Sequence, residues 1–217
     1  MGIKKDIFAP LALGLGATRR AALLLLVMML TTATAWATDK TLSGCESYTA
    51  QDGDVLTGST SGTVTIADNA SITLSDVTIT GGIVCAGTAE ITLVGTNSVT
   101  GAYNKAGIQV GGSGTKLTIK GNGSLTANGS DQSAGIGLSR AWGVNATGGD
   151  IVIEGGNITA NGSVNDKWGA GIGTGVIYGG TATLGTITIK GGTVKATGGS
   201  EANGIGTGST YGGCHPR

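Results

Sequence analysis

Five aromatic side chains carry the clearest chemical potential in this 217-residue chain. Trp142, Tyr178 and Tyr211 each stand five residues after the last glycine of a recurring Gly-Ile-Gly segment, counted from Gly137, Gly173 and Gly206, and each is followed by glycine. Trp168 and Tyr103 lie just before such a segment. Flat rings recurring once per repeat can pack on one another, at ~0.5–1.5 kcal/mol per pair. They can equally offer their faces to sugar rings where glycine loops leave them uncovered. The expectation is a glycan-stacking row of Trp142, Tyr178, Tyr211, Trp168 and Tyr103, with a self-packed ring ladder as the plainer alternative.

Side chains for bond cleavage are scarce by comparison. Sites that cut acidic polysaccharides need clustered carboxylates, often around calcium, with an Arg or Lys base. The repeats hold one arginine, Arg140, and Glu90, Glu154 and Glu201 fall at unrelated places in them. Asp52-Gly53-Asp54 supplies two carboxylates where calcium takes about six to eight oxygens, so it reads as a solvated turn. His215, the only histidine, sits two residues from the end. No catalytic residue, metal site or cofactor is expected, and the chain reads as a non-enzyme. Cys45, Cys85 and Cys214 match no zinc or redox spacing. An oxidising destination would permit a Cys45–Cys85 disulfide and leave Cys214 odd.

Positioning such a row requires a frame that itself repeats. Glycine supplies 43 residues, about a fifth of the chain against roughly 7% in ordinary proteins. Without a strict glycine triplet, and with two prolines, this is not collagen. Formal charge near zero and plentiful Ile, Val and Leu exclude disorder driven by charge repulsion. No basic surplus invites a nucleic acid, and helical spacing of Leu, Glu and Lys is missing.

The remaining pattern is of short strands. Ile72-Thr73-Leu74, Ile91-Thr92-Leu93, Leu117-Thr118-Ile119, Ile151-Val152-Ile153 and Ile187-Thr188-Ile189 alternate as strands with one buried face. Second strands follow at Ser124–Ala127, Asn157–Ala160 and Thr193–Ala196. Third strands follow at Ala106–Gln109, Ala134–Gly137, Ala170–Gly173 and Asn203–Gly206. First strands start 19, 26, 34 and 36 residues apart, and the excess lies after the third strand. Insertion at one corner of a constant module is how solenoids grow. The fold expected is an all-β, right-handed parallel β-helix of about five to six coils, counting a partial coil from Val64-Thr65-Ile66. Its outward threonines, Thr73, Thr92, Thr118 and Thr188, would form a row broken at Val152. That suits an ice-binding surface, or merely the strand preference of threonine.

The strand-Gly-Gly-strand unit followed by Ala-Gly-Ile-Gly resembles the right-handed β-helix repeats of bacterial secreted and cell-surface proteins, with a pectate-lyase-like fold and often adhesin-like. The resemblance covers residues 64–208 and is clearest from 117 onward. It implies an exported role in carbohydrate binding or adhesion, and supplies no catalytic residues. A fragment of a polysaccharide lyase or hydrolase, and a purely structural spacer, are the competing readings.

Residues 1–37 read as an export signal. Lys4, Lys5, Arg19 and Arg20 precede an apolar run from Ala21 to Leu30, and Ala35-Trp36-Ala37 is a small-x-small cleavage pattern. Ten apolar residues fall short of the roughly 20 that cross a bilayer, so no stable membrane span is expected. Leu42-Ser43-Gly44-Cys45 offers a competing site for cleavage and lipid anchoring at Cys45. After a cut at Ala37, nine Lys and Arg face twelve Asp and Glu, a net charge of −3. Residues 38–63 would form a lead-in or cap, 64–208 the β-helix, and 209–217 a tail, expected to be cut short. The partner expected is a polysaccharide or cell-surface glycan.

Overall fold

The computed structural model describes residues 38–163 and 168–211, with the side chains of 210 and 211 left aside. The export signal, Cys214, His215 and most of the expected tail lie outside the described residues. No described helix is long and apolar enough to cross a membrane.

Every pairing between described strands is parallel, the isolated Gly111–Gly148 bridge alone being antiparallel, and each winding contributes to the same faces as the one before it. The chain is a parallel β-helix. One face is a seven-stranded sheet running Tyr48–Ala50, Val64–Ile66, Ile83–Cys85, Ile108–Gln109, Ile136–Gly137, Ile172–Gly173 and Ile205–Gly206. The first and second strands of each winding form an 11-stranded sheet that bends around the other two sides. Its bend is continuous in the ten-residue strand Ala70–Ile79, which pairs with Thr88–Val94 along one half and Thr96–Thr100 along the other.

The ladder starts earlier than the glycine-rich repeat does. Asp39–Leu42 pairs with Val55–Gly58, and Tyr48–Ala50 with Val64–Ile66. Residues 38–63 therefore supply strands to both long sheets. Val64–Ile66 is a third-face strand, not the start of a coil, and the described residues make seven windings in place of the five to six expected. The early windings use short corners with little of the Gly-Gly punctuation that marks the later ones.

Equivalent apolar residues pile up along the axis. Val64, Ile83, Ile108, Ile136 and Ile172 are consecutive partners on the third face, and all are fully buried. Ile72, Ile91, Ile119 and Ile153 do the same on the first. At the last described winding the columns surface: Ile189 is 45% exposed and Ile205 47%. No winding can bury its own apolar side, so each relies on a neighbour.

Register corrects one alignment. Leu117-Thr118-Ile119 sits against Ala89-Glu90-Ile91, two residues away from the match that apolar spacing suggests. A two-residue slide keeps every side chain on its face, so alternation alone cannot detect it. What decides is the corner: Gly121 lies against Leu93, where a Cβ would press on the Leu93 backbone. The outward threonines consequently form no continuous row. Thr92 neighbours Lys120, and Thr118 lies between Glu90 and Val152.

Acidic side chains fasten one winding to the next. Asp52, Asp68, Asp76 and Asp150 accept hydrogen bonds from the backbone N–H groups of Ser71, Thr88, Thr96 and Thr186, at 2.7–2.9 Å. A half-buried Lys120–Glu90 pair and an exposed Lys190–Glu154 pair bridge windings at 2.6 and 3.0 Å. The Asp52-Gly53-Asp54 turn is not simply solvated, because Asp54 is buried. Its carboxylate accepts the Tyr48 hydroxyl and the Gln51 N–H, both at 2.8 Å. Burial, then Asp54's hydrogen bond and charge, push the Tyr48 hydroxyl up to about 12.

The permitted disulfide does not form: Cys45 and Cys85 are both free thiols. Cys45 is exposed on the turn after Asp39–Leu42, whereas Cys85 points inward, stacked after Ala50 and Ile66. Burial pushes the Cys85 thiol up to about 12, which suppresses the reactive thiolate. In a Cys214→Ser background, a thiol-specific dye should label one site in native protein and a second only after unfolding. Rapid native labelling at both sites would show that the inner column is open.

Candidate functional site

The winding that follows the short corner at 110–115 is the first to carry extra strands. Ala141–Trp142, Ile177–Tyr178 and Thr210–Tyr211 form a three-stranded sheet outside the main frame, and Ala146–Thr147 pairs with Ala182–Thr183 beside it. These strands stand as a shelf over the preceding corner. Glycines let them turn: Gly143 and Gly179 hold φ of 65° and 66°, a region that favours glycine.

Register places the rings one above another. Trp142 is the Cα partner of Tyr178, with ring centroids 3.9 Å apart and planes within 10°. Tyr211 is the backbone partner of Tyr178, and its side chain lies outside the described atoms. The Tyr178 hydroxyl donates to Gln132 Oε1 at 2.8 Å, which fixes the ring's tilt. With Tyr178 against one face, the Trp142 indole is still 61% exposed.

Arg140, two residues before Trp142 on the same strand side, flanks the stack. Its guanidinium carbon lies 4.9 Å from the Trp142 centroid and 5.5 Å from that of Tyr178, a cation–π arrangement with both. Nη1 donates to Asp131 Oδ2 at 2.6 Å and to Asn104 Oδ1 at 2.9 Å, while the buried Nε has no hydrogen-bond acceptor. Arg140 is therefore anchored from a turn of its own winding, at Asp131, and one of the winding before, at Asn104, rather than poised as a base.

Backbone strain gathers at the same place. Five described non-glycine residues adopt left-handed φ, and three of them are Asn104 (61°), Asp131 (44°) and Gln132 (67°). Each holds Arg140 or Tyr178 through its side chain. Such strain persists where surroundings over-determine it, and it clusters at functional sites.

The other expected ring residues are placed differently. Tyr103 projects from the turn beside Asn104 and is 75% exposed, next to the Arg140 anchor. Trp168 lies one winding on, at the position Gln132 holds in its own: the two carbonyls accept equivalent N–H groups, from Val176 and Ser209. The Trp168 indole N–H donates to Glu201 Oε2 at 2.6 Å. Trp142 and Tyr178 are thus brought into contact, Tyr103 stands beside their support, and Trp168 is tied separately.

A cleft of about 280 Å³ opens beneath the shelf, lined in part by Lys105, Gln109, Ser139 and Arg140. A roomier one of about 610 Å³ lies at the bend of the large sheet around Gly121-Asn122-Gly123. It offers no ring and no charged side chain, so it lacks the groups that orient a ligand. No group of three or more potential metal-binding side chains occurs among the described residues.

A family model described as the β-helix repeat matches residues 117–139, 151–176 and 187–209. No curated protein and no solved structure matches the chain. Parallel windings together with these matches give a parallel β-helix that carries β-helix repeats over its later windings. Each matched segment ends just short of a ring, at 142, 178 and 211, so the shelf lies outside the repeat itself.

Proposed function

We propose that this β-helix repeat protein is an exported, surface or extracellular module that binds carbohydrate on the Trp142–Tyr178 shelf. The carrying observation is the parallel ring pair, flanked by Arg140, whose outer member keeps most of its surface open. Sugar rings present C–H faces that lie flat on such a platform, and flanking donors bond their hydroxyls. Tyr178 acts as the backing that keeps the indole flat.

Binding rather than cleavage is the proposal, since Asp131, the carboxylate that holds Arg140 beside the rings, is already committed to that ion pair. Export with cleavage after Ala37 keeps the first strand whole. A cut before Cys45 would remove Asp39–Leu42, which pairs with Val55–Gly58 and carries buried Leu42. That favours release after Ala37 over a lipid anchor at Cys45.

A glycan array with the chain from Thr38 onward should give hits that weaken at least tenfold in Trp142→Ala. Unchanged binding in both Trp142→Ala and Tyr178→Ala would remove the shelf as the site.

A further inference from the structure

We infer that the cleft beneath the shelf seats an anionic substituent, a carboxylate or sulfate, of the sugar that lies on Trp142. This rests on the carbohydrate reading and narrows its ligand class.

The cleft gathers Lys105 and Arg140 at one place, and no carboxylate lines it. That is a local exception in a chain that is net acidic from residue 38 onward. Lys105 is exposed at the mouth and forms no ion pair with any described residue. Arg140 is partly neutralised by Asp131, which leaves the pair of cations with one positive charge in excess.

Hydrogen-bond valence points the same way. Ser139 Oγ has spent its one donor, accepting the Ala106 N–H and donating to Gln109 Oε1, each at 2.9 Å. That bond turns Gln109 Oε1 toward Ser139 and leaves its amide N–H groups spare. Lys105 Nζ adds up to three more donors, and Arg140 has none but donors to offer. Donors from Lys105, Arg140 and Gln109 therefore line a cleft in which no carboxylate stands to meet them. A carboxylate or sulfate is acceptor-only and complements that surface, whereas a neutral hydroxyl would use it less fully. The shelf and the cleft share Arg140, so one ligand can lay its ring above and its charge below.

Three β-1,4-linked hexasaccharides separate the possibilities: neutral glucose, the 6-carboxylate form and the 6-O-sulfated form. Calorimetry at low salt should show at least one anionic hexamer bound about tenfold tighter than the neutral one. Which of the two it is distinguishes carboxylate from sulfate. In Lys105→Gln that ratio should fall toward one, and about 0.5 M NaCl should shrink it similarly. Equal affinity for all three, lost in Trp142→Ala, overturns the anion site and leaves the shelf standing. An anion preference that survives Lys105→Gln also overturns it. A preference insensitive to Trp142→Ala keeps the cleft and removes the shelf, and absence of binding at millimolar hexamer removes both.

Discussion

Gly173→Ala should leave the later windings unable to form, with a loss above ~4 kcal/mol in urea unfolding followed by circular dichroism. Gly173 holds φ of 149°, and a Cβ built there overlaps the carbonyl oxygen of Gly206 on the next winding. The same relation holds between Gly137, at φ 132°, and the Gly173 carbonyl. The obstacle is backbone on both sides, with no flexible side-chain end to move away. Relief would have to come from breaking the third-face pairing of Ile172–Gly173 with Ile205–Gly206. Gly143→Ala is the control: its φ is 65°, but a Cβ would meet nothing within 4 Å. It should cost only about 1 kcal/mol, the backbone penalty alone. If the two substitutions proved equally mild, the close approach of successive windings would be wrong.

Removing a column side chain should have an effect that depends on its place along the axis. Ile119→Ala empties a fully buried position between Ile91 and Ile153, and should destabilise by about 2–5 kcal/mol. Ile189 occupies the next rung but one, is 45% exposed, and has no described partner beyond it. Ile189→Ala should therefore cost under about 1 kcal/mol, as expected for a side chain that has transferred little area out of water. Equal losses at the two positions would contradict a column buried in the middle and open at its last described rung.

The later windings were legible because glycine corners punctuate them, and because Ala-Gly-Ile-Gly recurs at the same face each time. Ala106, Ala134 and Ala170 are indeed buried beside Ile108, Ile136 and Ile172. The first two windings escaped notice because their corners carry single glycines, Gly44, Gly53 and Gly62, and not the Gly-Gly pairs of the later ones. The register at Leu117 escaped because a two-residue slide preserves the apolar pattern. At the site, the vertical alignment of Trp142 and Tyr178 was readable from the 36-residue spacing, a distance that keeps equivalent positions in line. Arg140's role was not. It depends on Asn104 and Asp131, from separate turns, and left-handed φ at a non-glycine residue has no sequence signal beyond a mild Asn and Asp preference. A hint was available, since Arg140 is the only arginine in the repeats and lies two positions before the tryptophan, on the same side of the strand.

The spacing between paired residues grows along the chain, from 16 near Ser47–Thr63 to 36 near Asp150–Thr186. Closing the wider loop sacrifices about 0.7 kcal/mol more chain entropy than closing the narrower one. Nucleation is thus easiest at the amino end, which also leaves the ribosome first. Each finished rung then presents a ready edge, so assembly has an inherent direction, and the wide excursions bearing the rings are added last onto a template already in place.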